Sequence, residues 1–246
     1  MLPEKRLTRR RGIYLLPNLF TTGALFSGFY AITSAMGGRY ETAVIAIFVA
    51  MILDGLDGRV ARLTNTQSEF GAQYDSLSDM VSFGAAPALV MYLWAFSSLG
   101  KVGLFAAFVH TAGGALRLAR FNTQLTTADK NYFQGLPSPA AAAILAGFIW
   151  ICLEYKYDIE LFKYFALVLT ISTGLLMVSN FRYSSFKKID LKGKVPFIVA
   201  IAVMLSIAFV MAQPQTMLFL LFLGYAISGP AVTLIMRRRR LQERKA

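Results

Sequence analysis

Apolar runs long enough to cross a lipid bilayer follow one another along almost the whole of this chain. A membrane-spanning helix needs about 20 predominantly apolar residues. Eight stretches meet that demand, at roughly 13–36, 41–63, 76–98, 102–124, 138–155, 160–179, 195–212 and 215–236. Hydrocarbon offers the backbone no hydrogen-bond partner, so runs of this kind fold as helices. The connections between them are too short to hold a second soluble domain. Composition agrees: 56% of the 246 residues are hydrophobic and 15% are charged, against about 25% charged in soluble domains. The expected fold class is an all-α integral membrane protein with about eight transmembrane helices.

A net charge of +12 raises the question of a nucleic-acid partner, and the placement of the charges answers it. With eight spans and a cytoplasmic N-terminus, one side holds Lys5, Arg6, Arg9, Arg10, Arg11, Arg59, Arg62, Arg117, Arg120, Lys130, Arg182, Lys187, Lys188, Lys192, Lys194, Arg237 to Arg240, Arg244 and Lys245. The other side holds Arg39, Lys101, Lys156 and Lys163, so 21 of the 25 Lys and Arg residues fall on one face. The positive-inside rule produces that bias, with both termini cytoplasmic, and seven or nine spans would not. The basic charge is therefore topological and suits anionic membrane lipids; no nucleic-acid partner is expected. Cys152 is the single cysteine, which excludes an intrachain disulfide and a cysteine metal site. The first apolar run is too long for a signal-peptide core and contains Pro17, Asn18, Thr21 and Thr22, so it reads as a retained span. Residues 1–12 form a basic juxtamembrane segment, with a short surface helix expected over Leu2–Gly12, and 237–246 a basic cytoplasmic tail.

The longest connections and the conspicuous polar residues gather on the same, cytoplasmic, side. Four of the 13 acidic residues, Asp54, Asp57, Asp75 and Asp79, fall at span ends in one short region. Asp54 and Asp57 are three residues apart and Asp75 and Asp79 four apart, so each pair shares a helix face. If the second span runs down to the cytoplasm and the third returns beside it, the four carboxylates converge. Ionised carboxylates are costly in a membrane helix and repel one another, so a cation should compensate them. Oxygen-only ligands suit a hard ion, Mg²⁺ or Mn²⁺. Gly55 and Gly58 would let a phosphate approach the backbone, and Arg62 offers a guanidinium fork for phosphate oxygens. The competing reading, helix-end acids paired with Arg59 and Arg62 for stability, suits one or two acids better than four.

Asp54, Asp57, Gly58, Ala61, Arg62, Gly71, Asp75 and Asp79 match D-x2-D-G-x2-A-R-x8-G-x3-D-x3-D without a departure. In these positions the chain resembles the CDP-alcohol phosphatidyltransferase family. The resemblance implies a six-helix membrane core over residues 13–187, here followed by two additional helices over 188–236. It also implies a homodimer, a Mg²⁺- or Mn²⁺-dependent site open to the cytoplasm, and a CDP-linked donor that releases CMP. Asp54, Asp57 and Asp75 would then be metal ligands, and Asp79 a general base with a metal contact as well. Gly58, Arg62 and Gly71 would line the CDP site. Asn18 and Thr22, within Pro17-Asn18-Leu19-Phe20-Thr21-Thr22, resemble a first-helix motif of the family that belongs to the same donor site.

Three further segments look like the membrane-type phosphatidylserine synthases of bacteria and archaea: Gly114–Asn122, Phe133–Ala142 and Val178–Lys187. This branch implies CDP-diacylglycerol and L-serine as substrates and, for a bacterial member, the inner membrane as location. Arg117, Arg120, Asn122 and Ser138 are the candidate acceptor residues, since arginine can grip the serine carboxylate bidentately. Arg117 and Arg120 also fit a plainer role as headgroup anchors, and Gly135, Pro137 and Pro139 that of shaping a helix entry. His110 reads as a packed or pore-facing histidine. Glycerol 3-phosphate, inositol phosphate or choline as acceptor, and outside the enzymes a divalent-cation transporter, are the competing functions.

Overall fold

Because lipid leaves the backbone only itself to bond with, the apolar runs become helices. The structure, a computed structural model, describes residues 15–124, 132–184, 204 and 212–243. In chain order it contains α1 (Leu15–Met36), α2 (Tyr40–Leu63), α3 (Glu69–Leu99), α4 (Lys101–Gln124), β1 (Tyr132–Gln134), α5 (Ser138–Glu154), α6 (Ile159–Val178), β2 (Arg182–Ser184) and α7 (Pro214–Glu243). Among the described residues five stretches are long and apolar enough to cross a membrane: α1, α3, α4 through Thr123, α6, and Pro214–Ile235 of α7. Two other expected spans are helical but differ in kind. The second half of α2 carries Asp54, Asp57, Arg59 and Arg62, and α5 has only 17 residues. The expected span at 195–212 lies almost wholly outside the described residues, as do the basic segment 1–12 and the end of the tail.

α5 forms the centre of the bundle, with 12 of its 17 residues buried. The run Ala140–Ala143 keeps its surface shallow, so α2 and α7 pack closely against it. α1 and α2 form a tight hairpin. α4 and α6 approach through Gly113 and Gly174, where a β-carbon on Gly113 would stand 2.4 Å from the Gly174 carbonyl oxygen.

α3 is not uniform. Wide, π-type turns occupy Met80–Ala85 and Tyr92–Phe96, and the first begins directly after Asp79. Side chains of α4 cap its carbonyls. His110 Nε2 lies 3.2 Å from the Phe83 oxygen, and the Thr111 hydroxyl donates to the Gly84 oxygen at 3.2 Å. His110 is fully buried, with Nδ1 2.9 Å from the Thr173 hydroxyl. It is thus a packed histidine joining α3, α4 and α6.

The one β-structure among the described residues is a short antiparallel ladder, with Phe133 opposite Tyr183. It ties the connection after α4 to the connection after α6, where backbone groups have left the helices and still need partners. The pairing continues beyond the strands: Gly135 N–H donates to the Phe181 oxygen (2.9 Å) and Leu136 N–H to the Leu176 oxygen (3.0 Å). Gly135 has φ +80°, and a β-carbon there would stand 2.2 Å from the Met177 oxygen, so only glycine fits this crossing.

Candidate active site

A short turn sets up the carboxylates. After α2, Asn65 takes φ 51°, a left-handed conformation that asparagine tolerates, and the chain reverses. Ser68 then caps α3 by accepting the Gly71 N–H at 3.0 Å. α3 therefore returns with Asp75 and Asp79 facing Asp54 and Asp57. One oxygen from each of Asp54, Asp57 and Asp75 lies within 4.8 Å of the others. The Asp54 carboxyl also lies within hydrogen-bonding reach of those of Asp75 and Asp79.

Among the described residues no Lys or Arg forms an ion pair with these four acids. Arg62 and Arg117 act on them at longer range, Arg62 on Asp57 and Arg117 on Asp54 and Asp79. The reading of acids paired directly with Arg59 and Arg62 therefore loses its basis. Asp75 Oδ1 is buried without a hydrogen-bond partner. An orphaned buried oxygen is costly in any fold, and beside two other carboxylates it has the character of a metal-facing ligand. Three converging carboxylates fit a hard divalent cation, so the residues present suit a metal ion.

Asp57, 5% exposed, is held by Thr21, which lies inside the first-helix motif but is not among its expected donor-site residues. The buried Thr21 hydroxyl lies 2.6 Å from Asp57 Oδ2, and the Thr21 carbonyl accepts from Ser78 Oγ at 3.1 Å. One α1 residue thus ties the acids of α2 to the helix carrying Asp75 and Asp79. Thr21 and Asp57 are 36 residues apart, and no local spacing signals that contact.

The other donor candidates fall on the same flank. Thr22 Oγ1 donates to the Asn18 oxygen at 2.7 Å, so the Tyr74 hydroxyl, 2.9 Å away, is the donor between those two. A β-carbon on Gly71 would sit 3.6 Å from Asn18 Oδ1, and one on Gly58 3.6 Å from Arg62 Nη1. Asn18 therefore stands beside Gly71, and Arg62 folds back over Gly58. A β-carbon on Gly55 would meet nothing within 4 Å, which leaves open space along that backbone.

The acceptor candidates separate into two groups. Arg117 Nη1 donates to the buried Ser138 Oγ at 2.8 Å, and its charge reaches Asp79 and Asp54. Asn122 Nδ2 is 3.1 Å from the hydroxyl of Ser76, the neighbour of Asp75. Arg120 turns elsewhere, donating to the Ser179 oxygen and Asn180 Oδ1 at 3.4 Å each. Asn180 Oδ1 also accepts from Gln134 Nε2 at 2.8 Å.

Residues 14–179 match the family described as CDP-alcohol phosphatidyltransferase. The chain belongs to that family. Similar proteins include the CDP-diacylglycerol–serine O-phosphatidyltransferase of Helicobacter pylori, 39% identical over 87% of this chain and 90% of that protein. The proteins of the same name from Methanocaldococcus jannaschii and Bacillus subtilis are 40% and 33% identical, over 74% and 70% of this chain and 80% and 92% of theirs. All candidate site residues lie inside the family region, whereas β2 and α7 lie beyond it. Glu41, Glu69, Glu154, Asp158 and Glu160 are exposed. Among the described residues no trail of buried acids leads away from the cluster, as a cation path would need.

Proposed function

We propose that this protein transfers the phosphatidyl group of CDP-diacylglycerol to the hydroxyl of L-serine, giving phosphatidylserine and CMP. The observation that carries the reading is the carboxylate cluster with an arginine beside it, in a chain whose family relatives bear the matching name. Asp54, Asp57 and Asp75 hold Mg²⁺ or Mn²⁺, which when bound neutralises charge on the donor's phosphate oxygens. Gly58, Arg62 and Gly71, with Asn18 and Thr22 behind them, receive the CDP portion. Arg117 pairs with the serine carboxylate, and Ser138 and Asn122 complete that end.

Asp79 accepts the proton of the serine hydroxyl, a poor nucleophile at neutral pH. The freed oxygen attacks the phosphorus that bears the diacylglycerol. The bond from that phosphorus to the CMP oxygen breaks, and CMP leaves with the electron pair. Positioning and electrostatics carry most of the rate, as in other phosphoryl transfers. The charge bias along the sequence supports an eight-span arrangement with both termini and the site cytoplasmic, in a bacterial inner membrane. Family kinship supports a homodimer. The test is CMP release from CDP-diacylglycerol by the purified protein with a panel of acceptors. Serine should be turned over preferentially, and preference for glycerol 3-phosphate, inositol phosphate or choline would refute the assignment.

A further inference from the structure

α7 lies beyond residues 14–179 that match the family model, yet it is built to receive a residue from beside the candidate site. Tyr183 of β2 is fully buried. Its ring lies against Gly229 of α7, where a β-carbon would stand 2.3 Å from Cζ and 2.5 Å from Cε1. The next residue, Pro230, sits inside the helix and has no N–H, so it leaves the carbonyl four residues earlier, that of Ala226, without its helical partner. The Tyr183 hydroxyl donates to that Ala226 oxygen at 3.0 Å. Glycine makes room for the ring and proline frees the acceptor for its hydroxyl. Burial pushes the phenol up to about 12, so it remains a neutral donor across the physiological range.

The contact continues into the site. Tyr183 pairs with Phe133 across the ladder, and Gly135 and Leu136 dock on the end of α6. Two residues on, Ser138 begins α5 and holds Arg117. On the α7 side, the Tyr225 ring packs at a tilt against Tyr183 with ring centres 5.4 Å apart and lies in electrostatic range of Arg117. A second bond, from Arg182 N–H to Thr233 Oγ1 at 3.2 Å, fastens the same strand to α7.

We infer that Tyr183, seated in the Gly229–Pro230 socket of α7, is a positioning residue for the acceptor end of the site, acting through the ladder on Ser138 and Arg117. This rests on the reading of Arg117 as the acceptor-side arginine. The lock should therefore govern acceptor affinity and leave the donor site, which α1 to α3 build, undisturbed.

The experiment is steady-state CMP release by the full chain in lipid vesicles, with serine varied at saturating CDP-diacylglycerol and the converse. Gly229→Ala forces the ring out of its socket and should raise the serine KM by about 5- to 100-fold, the scale of an overpacked contact. Tyr183→Phe keeps the ring and loses only the hydroxyl, so it should raise that KM by about 2- to 10-fold. Both should leave the donor KM unchanged. In a Tyr183→Ala background, Gly229→Ala should add nothing, since the ring it displaces is gone. Donor and serine KM rising together, or a serine KM unmoved by Tyr183→Phe and Gly229→Ala, would overturn the inference. Wild-type protein that turns over a different acceptor refutes the serine reading alone, and the lock is then judged on the KM for that acceptor.

Discussion

Asp54, Asp57, Asp75 and Asp79 are brought together by a single helical hairpin with five residues between α2 and α3. Arg117 meets its partner in another way. It reaches Ser138 across 21 residues, Arg120 reaches Asn180 across 60, and the ladder that aligns them is locked by Tyr183 to Ala226 across 43. The carboxylate half is thus local and the acceptor half is woven from four connections. A local half tolerates changes elsewhere in the bundle, whereas a woven half registers them. Damage to the two halves should therefore read out differently, in the metal and the chemical step on one side and in acceptor affinity on the other.

The hardest blow to the local half is loss of its ion. Chelation should bring CMP release to background, and Mg²⁺ or Mn²⁺ should restore it. Full turnover in excess chelator would remove the metal from the account. Asp54→Asn, Asp57→Asn and Asp75→Asn should each weaken metal or donor binding along with rate. Asp79→Asn comes next, with a rate loss of about 10²–10⁴, the range for losing a general base. Donor affinity, measured by equilibrium binding, should survive it in large part. A fall as deep as in Asp54→Asn would make Asp79 chiefly a ligand.

In the woven half, Arg117→Ala should raise the serine KM by about 10- to 100-fold, from a lost charge-assisted hydrogen bond of roughly 1.5–3 kcal/mol. Discrimination against ethanolamine should shrink with it. Wild-type serine kinetics in that variant would place the carboxylate grip elsewhere. The smallest effect sharpens the contrast. Thr21→Val removes the hydroxyl on Asp57 and should weaken metal affinity by about 10-fold, read from the Mn²⁺ dependence of activity. The serine KM should not move.

That division also governs what was legible in the sequence. Spacings of three and four residues on two adjacent helices give a face directly, so the convergence of the four acids could be anticipated. Arg117 and Arg120, three apart near a helix end, look equivalent in sequence. In the structure a turn of helix separates them, and the later one passes the carboxylates and meets Ser179 and Asn180. The roles of Thr21, Tyr183 and Gly229 are not legible in the sequence because they are contacts between distant segments. Nothing in the neighbourhood of Gly229-Pro230 marks a socket until a tyrosine is seen in it. Helix count was legible by hydropathy for α1, α3, α4, α6 and α7. α2 and α5 read alike as apolar runs, though one is laden with charge and the other short and central.

The charge on α2 bears on how the protein reaches its membrane. At 24 residues α2 is long enough to cross, yet every 18-residue stretch of it carries at least three charged side chains, more than any of the five crossing helices holds in its apolar stretch. Each charge costs about 2.5–3.5 kcal/mol at the middle of a lone helix in the insertion machinery, less toward its end. Thr21 and the rest of α1 offer Asp57 a polar partner and a packed face, and the turn at Gly37–Arg39 lets the two helices enter as a pair. α1 is thus expected to escort α2 into the bilayer. Lesions along its α2-facing side should appear first as less protein integrated into the bilayer, before any slower turnover by the molecules that arrive.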